Sequence, residues 1–367
     1  MLIVAVTVAS SCGSVGTAAA PAVERKVVPA ASSTSVPSST SLPSSTSGPG
    51  SDEVTDAPAI RPASSGTGQT ASRRLAGDGT PTFSGDFADP FLLAEGDDFF
   101  AYASNTLAFN IPVMVARGDG RGELLGDALP ALPAWSERFY VWAPSVTKID
   151  DQYVMHYATR NSATSRQCLS VAVSTWPEGP FVDDSSEPLF CASELGGAID
   201  PSVVESGGDL WLLWKSDGNC CGLPTVIFAQ LLTGDGRNVA GEPVALIAND
   251  LSWEHDVVEA PSMIKHNGVF HLFYSANRWD THAYGVGHAV CVAVIGPCVK
   301  DPQPWLADTE ATSGPGGLEA TSVDGLGVDL VVYHGWTGDE IGYPAGNRSL
   351  YVRRLRWENG SPTLDRG

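Results

Sequence analysis

The chain is short of positive charge: 21 Lys and Arg stand against 42 Asp and Glu, a formal net charge of −21. The first 80 residues hold five of each sign, so the whole excess lies in residues 81–367. Such a surface repels phosphate backbones and anionic lipid, which counts against nucleic acid and favours a neutral or cationic partner. No amphipathic helical stretch of 12 residues occurs, so an all-β domain is expected. Neither Cys-x-x-Cys nor His-x-x-x-His spacing occurs, and the seven cysteines therefore do not read as metal ligands. The apolar start, from Met1-Leu2-Ile3 to Ser11, is too short to span a bilayer and has no basic residues before it.

The residues after that start suggest export from the cell. Val8-Ala9-Ser10-Ser11-Cys12 resembles a bacterial lipobox, with Ala9 where leucine is usual; the resemblance implies lipidation at Cys12, ordinary secretion being the other reading. From Gly13 to about residue 80 the chain is Ser, Thr, Pro, Ala and Gly, which cannot bury enough apolar surface to offset the entropy of ordering. Residues 1–12 thus read as a signal and lipobox remnant, 13–80 as a disordered stalk and 81–367 as the folded domain. Six cysteines remain, an even number suited to disulfides in an exported domain. Cys168–Cys191 and Cys291–Cys298 are the preferred local pairs, which leaves Cys220 and Cys221 as a vicinal bridge or two thiols.

In the folded part a short phrase recurs five times. The copies are Ala88-Asp89-Pro90-Phe91-Leu92, Trp142-Ala143-Pro144-Ser145-Val146, Ile199-Asp200-Pro201-Ser202-Val203, Glu259-Ala260-Pro261-Ser262-Met263 and Glu319-Ala320-Thr321-Ser322-Val323. Aligned on Asp89, Ala143, Asp200, Ala260 and Ala320, they are 54, 57, 60 and 60 residues apart. After each comes a polar turn, the last being Gly325-Leu326-Gly327, and then a strand such as Leu210-Trp211-Leu212-Leu213-Trp214. A period of that size suits a blade of four strands, and five of them predict a five-bladed β-propeller. The first strand of each blade lines the axis, so residues of one column form a ring. Asp89 and Asp200 share a column, and Glu259 sits one residue before it.

Two carboxyls across an axis can hydrolyse a glycosidic bond. One gives a proton to the leaving oxygen; the other activates water on the opposite face, at roughly 6.5–9.5 Å separation when configuration is inverted. Two steps apart on a five-membered ring, Asp89 and Glu259 reach that separation if the axis has a radius of roughly 3.5–5 Å.

From about Phe83 to Leu364 the chain resembles glycoside hydrolase family 43. The resemblance rests on Asp89-Pro90, Trp142-Ala143-Pro144, Ile199-Asp200-Pro201-Ser202 and Val258-Glu259-Ala260-Pro261, in that order and spacing. Phe273-Tyr274-Ser275-Ala276-Asn277, Gly296-Pro297-Cys298 and Gly346-Asn347-Arg348-Ser349-Leu350 add to it. It implies an inverting five-bladed propeller with Asp89 as general base, Glu259 as general acid and Asp200 as the residue that raises and orients the acid. Retaining fructosidases share the architecture but carry Arg-Asp-Pro in the middle phrase, where this chain has Ile199. The substrate implied is a polysaccharide with arabinofuranosyl, galactofuranosyl or xylosyl units, with an exo-acting arabinofuranosidase favoured over an endo-arabinanase or xylosidase. A surface sugar-binding propeller without catalysis is the reading from another class.

One departure concerns the axis. Family members carry a His after Gly-Pro-Gly that ligates an ion or water cluster, whereas here the run is Ser313-Gly314-Pro315-Gly316-Gly317. The missing histidine puts a central calcium in doubt without excluding it, and no cofactor is required. His334 resembles another family position that could face the channel. Among the tryptophans, Trp142 borders the carboxylate column and is the first candidate for stacking on a sugar, with Trp279 after it. A monomer at the outer face of a bacterial membrane, held only by its lipid, completes the expectation.

Overall fold

The computed structural model describes residues 80–117, 122–310, 312–323, 327–337 and 340–365. Cys12, the signal and lipobox remnant, the stalk up to residue 79, and Gly325 and Leu326 of the last turn lie outside the described residues. Within them, nineteen strands form five antiparallel sheets in chain order. Blade 1 holds β1 (Phe91–Glu95), β2 (Asp98–Tyr102), β3 (Pro112–Ala116) and β4 (Gly122–Asp127). Blade 2 holds β5 (Ser136–Ile149), β6 (Gln152–Asn161) and β7 (Gln167–Ser174), with single bridges at Phe190 and Val182 in place of a fourth strand. Blade 3 holds β8 (Ala198–Ser206), β9 (Asp209–Ser216), β10 (Val226–Leu231) and β11 (Val244–Ala248). Blade 4 holds β12 (Val258–His266), β13 (Val269–Ala276), β14 (Gly285–Cys291) and β15 (Cys298–Lys300). Blade 5 holds β16 (Ser313–Val323), β17 (Val328–Trp336), β18 (Arg348–Glu358) and β19 (Ser361–Leu364).

The second strands are apolar on both sides because each blade is covered on both faces. Leu212 of β9 points to Ala158 and Leu169 of blade 2, and its neighbour Leu213 points to Val258 and Met263 of blade 4. Among the described residues there are five core clusters, one at each contact between consecutive blades, including blade 5 with blade 1. Full burial of a side chain such as Leu212 contributes about 1.5–3 kcal/mol. The ring closes at a seam: Thr82 N–H donates to Leu350 O at 2.8 Å, Leu350 N–H to Phe83 O at 2.9 Å, and Phe87 N–H to Arg348 O at 2.8 Å.

The innermost strands break register at one shared place. The breaks fall between Trp142 and Ser145, Ile199 and Ser202, Glu259 and Ser262, and Gly316 and Glu319. Inside each break one residue is left-handed: Ala143 (φ +46°), Asp200 (+55°), Ala260 (+47°) and Gly317 (+57°), matched by Asp89 (+48°) just before β1. The fifth member of the column is therefore Gly317 and not Ala320. Ala320-Thr321-Ser322-Val323 repeats the letters of Ala-Pro-Ser-Val three residues late. What defines the column is a positive φ, which glycine adopts without steric cost. The corrected steps are 54, 57, 60 and 57 residues. A non-glycine residue in this region costs on the order of 1–3 kcal/mol, and such strain gathers at functional sites.

Three disulfides join Cys168 to Cys191, Cys220 to Cys221 and Cys291 to Cys298. No helix among the described residues is long and apolar enough to cross a membrane.

The segment leading into β12 is held by an enclosed ion pair. Glu254 is fully buried, receiving Lys300 Nζ at 2.7 and 2.8 Å, the Tyr274 hydroxyl at 2.8 Å and the N–H groups of Asp250 and Leu251 at 2.9 and 2.8 Å. Lys300→Met leaves that carboxylate without its charge partner, and a loss of about 3–5 kcal/mol in urea unfolding is expected. A loss below about 1 kcal/mol, the scale of an exposed pair, would show the pair to be solvated in practice.

Candidate active site

The column lines a small, open cavity of about 30 Å³, formed by Asp89, Ala143, Asp200, Ala260 and Gly317, the residues that follow each of them, and Glu319. Glu259 is not part of this lining; it precedes the column residue in blade 4, as Trp142 does in blade 2 and Ile199 in blade 3.

The residue facing that preceding position on the second strand changes from blade to blade. It is Ala158 in blade 2, Lys215 in blade 3, Ser275 in blade 4 and His334 in blade 5, and in blade 1 it is Ser104, two residues past the end of β2. Ser104 Oγ accepts the Ala143 N–H at 2.9 Å, Ser275 Oγ the Gly317 N–H at 2.9 Å, and His334 Nδ1 the Asp89 N–H at 3.0 Å. Each bond fixes the column residue of the next blade. Lysine has no acceptor, so in blade 3 the task passes to Asp200, whose Oδ2 accepts the Ala260 N–H at 2.8 Å. Asp200 is thereby tied to the residue beside Glu259.

Asp89 is arranged to stay ionised. Burial works against its charge, but the Arg348 guanidinium, 3.4 Å from Oδ1, and the Ser104 hydroxyl, 2.5 Å from Oδ2, outweigh burial and hold the carboxyl below its ordinary value. His334 is fully buried, and burial together with the Arg348 charge lowers it to about 3, so it is neutral with Nδ1 as acceptor. The permanent positive charge at Asp89 is accordingly that of Arg348.

Asp200 is arranged in the opposite sense. Burial, and then the neighbouring Glu259, push its carboxyl up to about 8 against the pull of Lys215 and the Ala260 N–H. Glu259 receives Lys215 Nζ at 3.2 Å on Oε2 and the Tyr284 hydroxyl at 2.8 Å on Oε1. Lys215, wholly enclosed, also meets Asn219 Oδ1 at 2.7 Å and Asp217 at 3.5 Å. Lys215 thus stands among three carboxyls, Asp200, Asp217 and Glu259, and the proton retained on Asp200 lessens the net charge that the enclosed site must hold.

The structure puts Asp89 and Asp200 in the axial lining and Glu259 beside it, against Lys215 and Tyr284. Trp142 is half-buried beside the column. Trp279, 39% exposed, lies with its ring 4.8 Å from the Arg348 guanidinium and stacks on Trp336. His334 is enclosed as the support of Asp89, under Tyr284 and away from any sugar-sized space. Sequence reasoning missed Lys215, Tyr284 and Ser104, and quoted Glu319 and Arg348 without a role. A signal existed for Lys215, the one charge closing the apolar run Leu210-Trp211-Leu212-Leu213-Trp214.

The centre does not fit a calcium ion. Gly317 stands where the family's ligating histidine belongs, and a Cβ there would lie 2.6 Å from His334 Nδ1 and 3.0 Å from Asp89 Oδ1. Among the described residues no group of three or more His, Cys, Asp or Glu is placed to hold a metal.

Known proteins agree with this arrangement. The chain is 26% identical over 307 residues to alpha-L-arabinofuranosidase 43 of Humicola insolens, covering 75% of this chain and 60% of that one. It is 28% identical over 299 residues to a probable arabinan endo-1,5-alpha-L-arabinosidase A of Aspergillus flavus, covering 75% and 90%. The crystal structure of a thermostable family-43 glycoside hydrolase superposes with a TM-score of 0.69 at 26% identity, over 78% of this chain and 94% of that one. Residues 79–362 match the sequence profile of Glycosyl hydrolases family 43, and the chain belongs to that family.

Proposed function

We propose that this protein is an inverting glycoside hydrolase acting on arabinofuranosyl linkages of a polysaccharide, with exo action favoured. The observation that carries the mechanism is the opposite treatment of the carboxyls: Asp89 held ionised by Arg348 and Ser104, and a proton retained beside Glu259. Water bound to Asp89 attacks the anomeric carbon and gives its proton to that carboxylate, while Glu259 delivers a proton to the departing oxygen. Asp200 lies beside Glu259 and orients the acid through the Ala260 N–H. No step runs through a metal.

The substrate class rests on the names of the relatives, which include arabinofuranosidases and arabinan-cleaving enzymes. Linkages to galactofuranose or xylose are the alternatives within the same chemistry. A neutral glycan also suits an acidic surface better than a polyanion does. Export rests on the apolar start and the disulfides, and lipid attachment on Cys12.

A panel of nitrophenyl furanosides and pyranosides with arabinan, xylan and galactan tests the activity, and proton NMR of the first-formed anomer tests the stereochemistry. Retention of configuration would rule the mechanism out, and silence across the panel would leave a binding propeller. The pH profile adds a third check. Because Asp89 lies below its ordinary value, kcat/KM should hold into acid. It should fall as pH rises through about 8, where the Asp200 carboxyl beside Glu259 loses its proton. An alkaline limb near the ordinary carboxylate range would contradict the pair.

A further inference from the structure

The axis contains a fourth carboxyl that the mechanism does not use. Glu319 stands, by register, where the other inner strands carry Phe91, Ser145, Ser202 and Ser262. The serines stitch neighbours: Ser145 Oγ accepts the Val203 N–H at 3.3 Å, and Ser262 Oγ the Ala320 N–H at 2.9 Å. Glu319 reaches further. Its carboxyl receives the Ser202 hydroxyl, at 3.1 and 3.3 Å, from a blade two steps away, and it is also bonded by Ser262 of blade 4. Ser202 is two residues beyond Asp200, and Ser262 is three beyond Glu259. One side chain thus grips the strand of each member of the acid pair.

We propose that Glu319 is a positioning residue for that pair: its carboxyl draws β8 and β12 onto blade 5 and fixes how Asp200 and Glu259 meet. The inference rests on the reading of Asp200 and Glu259 as the acid pair. Burial raises Glu319 to about 8 in spite of the two serines, so near neutral pH it holds the strands without adding an anion to a channel that already contains Asp89. The charged and titratable groups around the pair are Asp89, Lys215, Asp217 and Tyr284, and none of them touches the two serines that Glu319 grips.

The test compares Glu319→Ala with Glu319→Gln in the full chain, following the Asp200 carboxyl by carbon NMR and hydrolysis by kinetics. With the grip removed, water enters and Glu259 can move away. Both causes of the raised Asp200 value then weaken, and its midpoint should fall by about one unit or more. Misplacement of the acid should lower kcat about 100-fold with KM changed by no more than about twofold. Glu319→Gln keeps the length, the neutrality and the bonds to serine, and should restore both readouts. Where alanine prevents folding, Glu319→Ser, which returns the residue of the other strands, takes its place. An unmoved Asp200 midpoint in the shortened variant overturns the proposal, as does a glutamine variant that behaves like alanine. The titration is independent of turnover, so a failure of the hydrolase reading shows in the substrate panel and a failure of the grip shows at Asp200.

Discussion

Asp89→Asn should lower kcat by about three to four orders of magnitude, the upper range for loss of a positioned base. Asparagine is the informative replacement because residue 89 has φ +48°, a region in which asparagine is tolerated and alanine is strained. The amide fills the same space, and the main-chain N–H of residue 89 can still donate to His334, so the ring keeps its form. What is lost is the ability to take a proton from water and the anion that Arg348 neutralises. A small external anion such as azide attacks without deprotonation, and it should recover turnover with inverted product. Thermal unfolding measured alongside separates chemistry from folding. A variant that kept more than about a tenth of wild-type activity would remove Asp89 from the base role.

Glu259→Gln should divide substrates by their leaving groups. Natural oligosaccharides expel an alkoxide that must be protonated, and a loss of about 10³-fold is expected. Dinitrophenyl glycosides leave without a proton, and their loss should stay within about tenfold. The fall of kcat/KM near pH 8 should move to lower pH, because the neighbouring Glu259 carboxyl no longer adds to burial in raising Asp200. Lys215 retains Asp217 and Asn219 as partners, so the substitution does not strand a buried cation. Equal losses on both substrate types would mean that Glu259 is not the acid.

The blade count, the axis and the trio of carboxyls proposed as catalytic are legible in the sequence because a repeating phrase makes columns, and a column on a propeller is a place. Blade 5 misleads because its column residue is a glycine, chosen for a backbone angle, while Ala320-Thr321-Ser322-Val323 copies the letters nearby. The supports of the trio are harder to see. Lys215 and His334 lie on second strands, and Ser104 just past one, where apolar neighbours dominate the pattern, and only the hairpin register brings them to the axis. Asp200 reads from its phrase as a modulator, whereas its bond to the Ala260 N–H is a scaffold task inherited because Lys215 cannot accept. Glu319 is in plain view within the fifth phrase, but a register wrong by three residues moves it out of the serine ring.

The seam has a consequence for when the enzyme can begin to work. Asp89 is separated by 245 residues from His334, which holds its backbone, and by 259 from Arg348, which holds its charge. Synthesis runs from the N-terminus, so the base emerges early and its two keepers almost last. A chain cut short between Glu259 and Arg348 carries Asp89, Asp200 and Glu259 and still lacks the guanidinium that helps to hold Asp89 below its ordinary value. Competence arrives with the final blade, after the rest of the ring has been made.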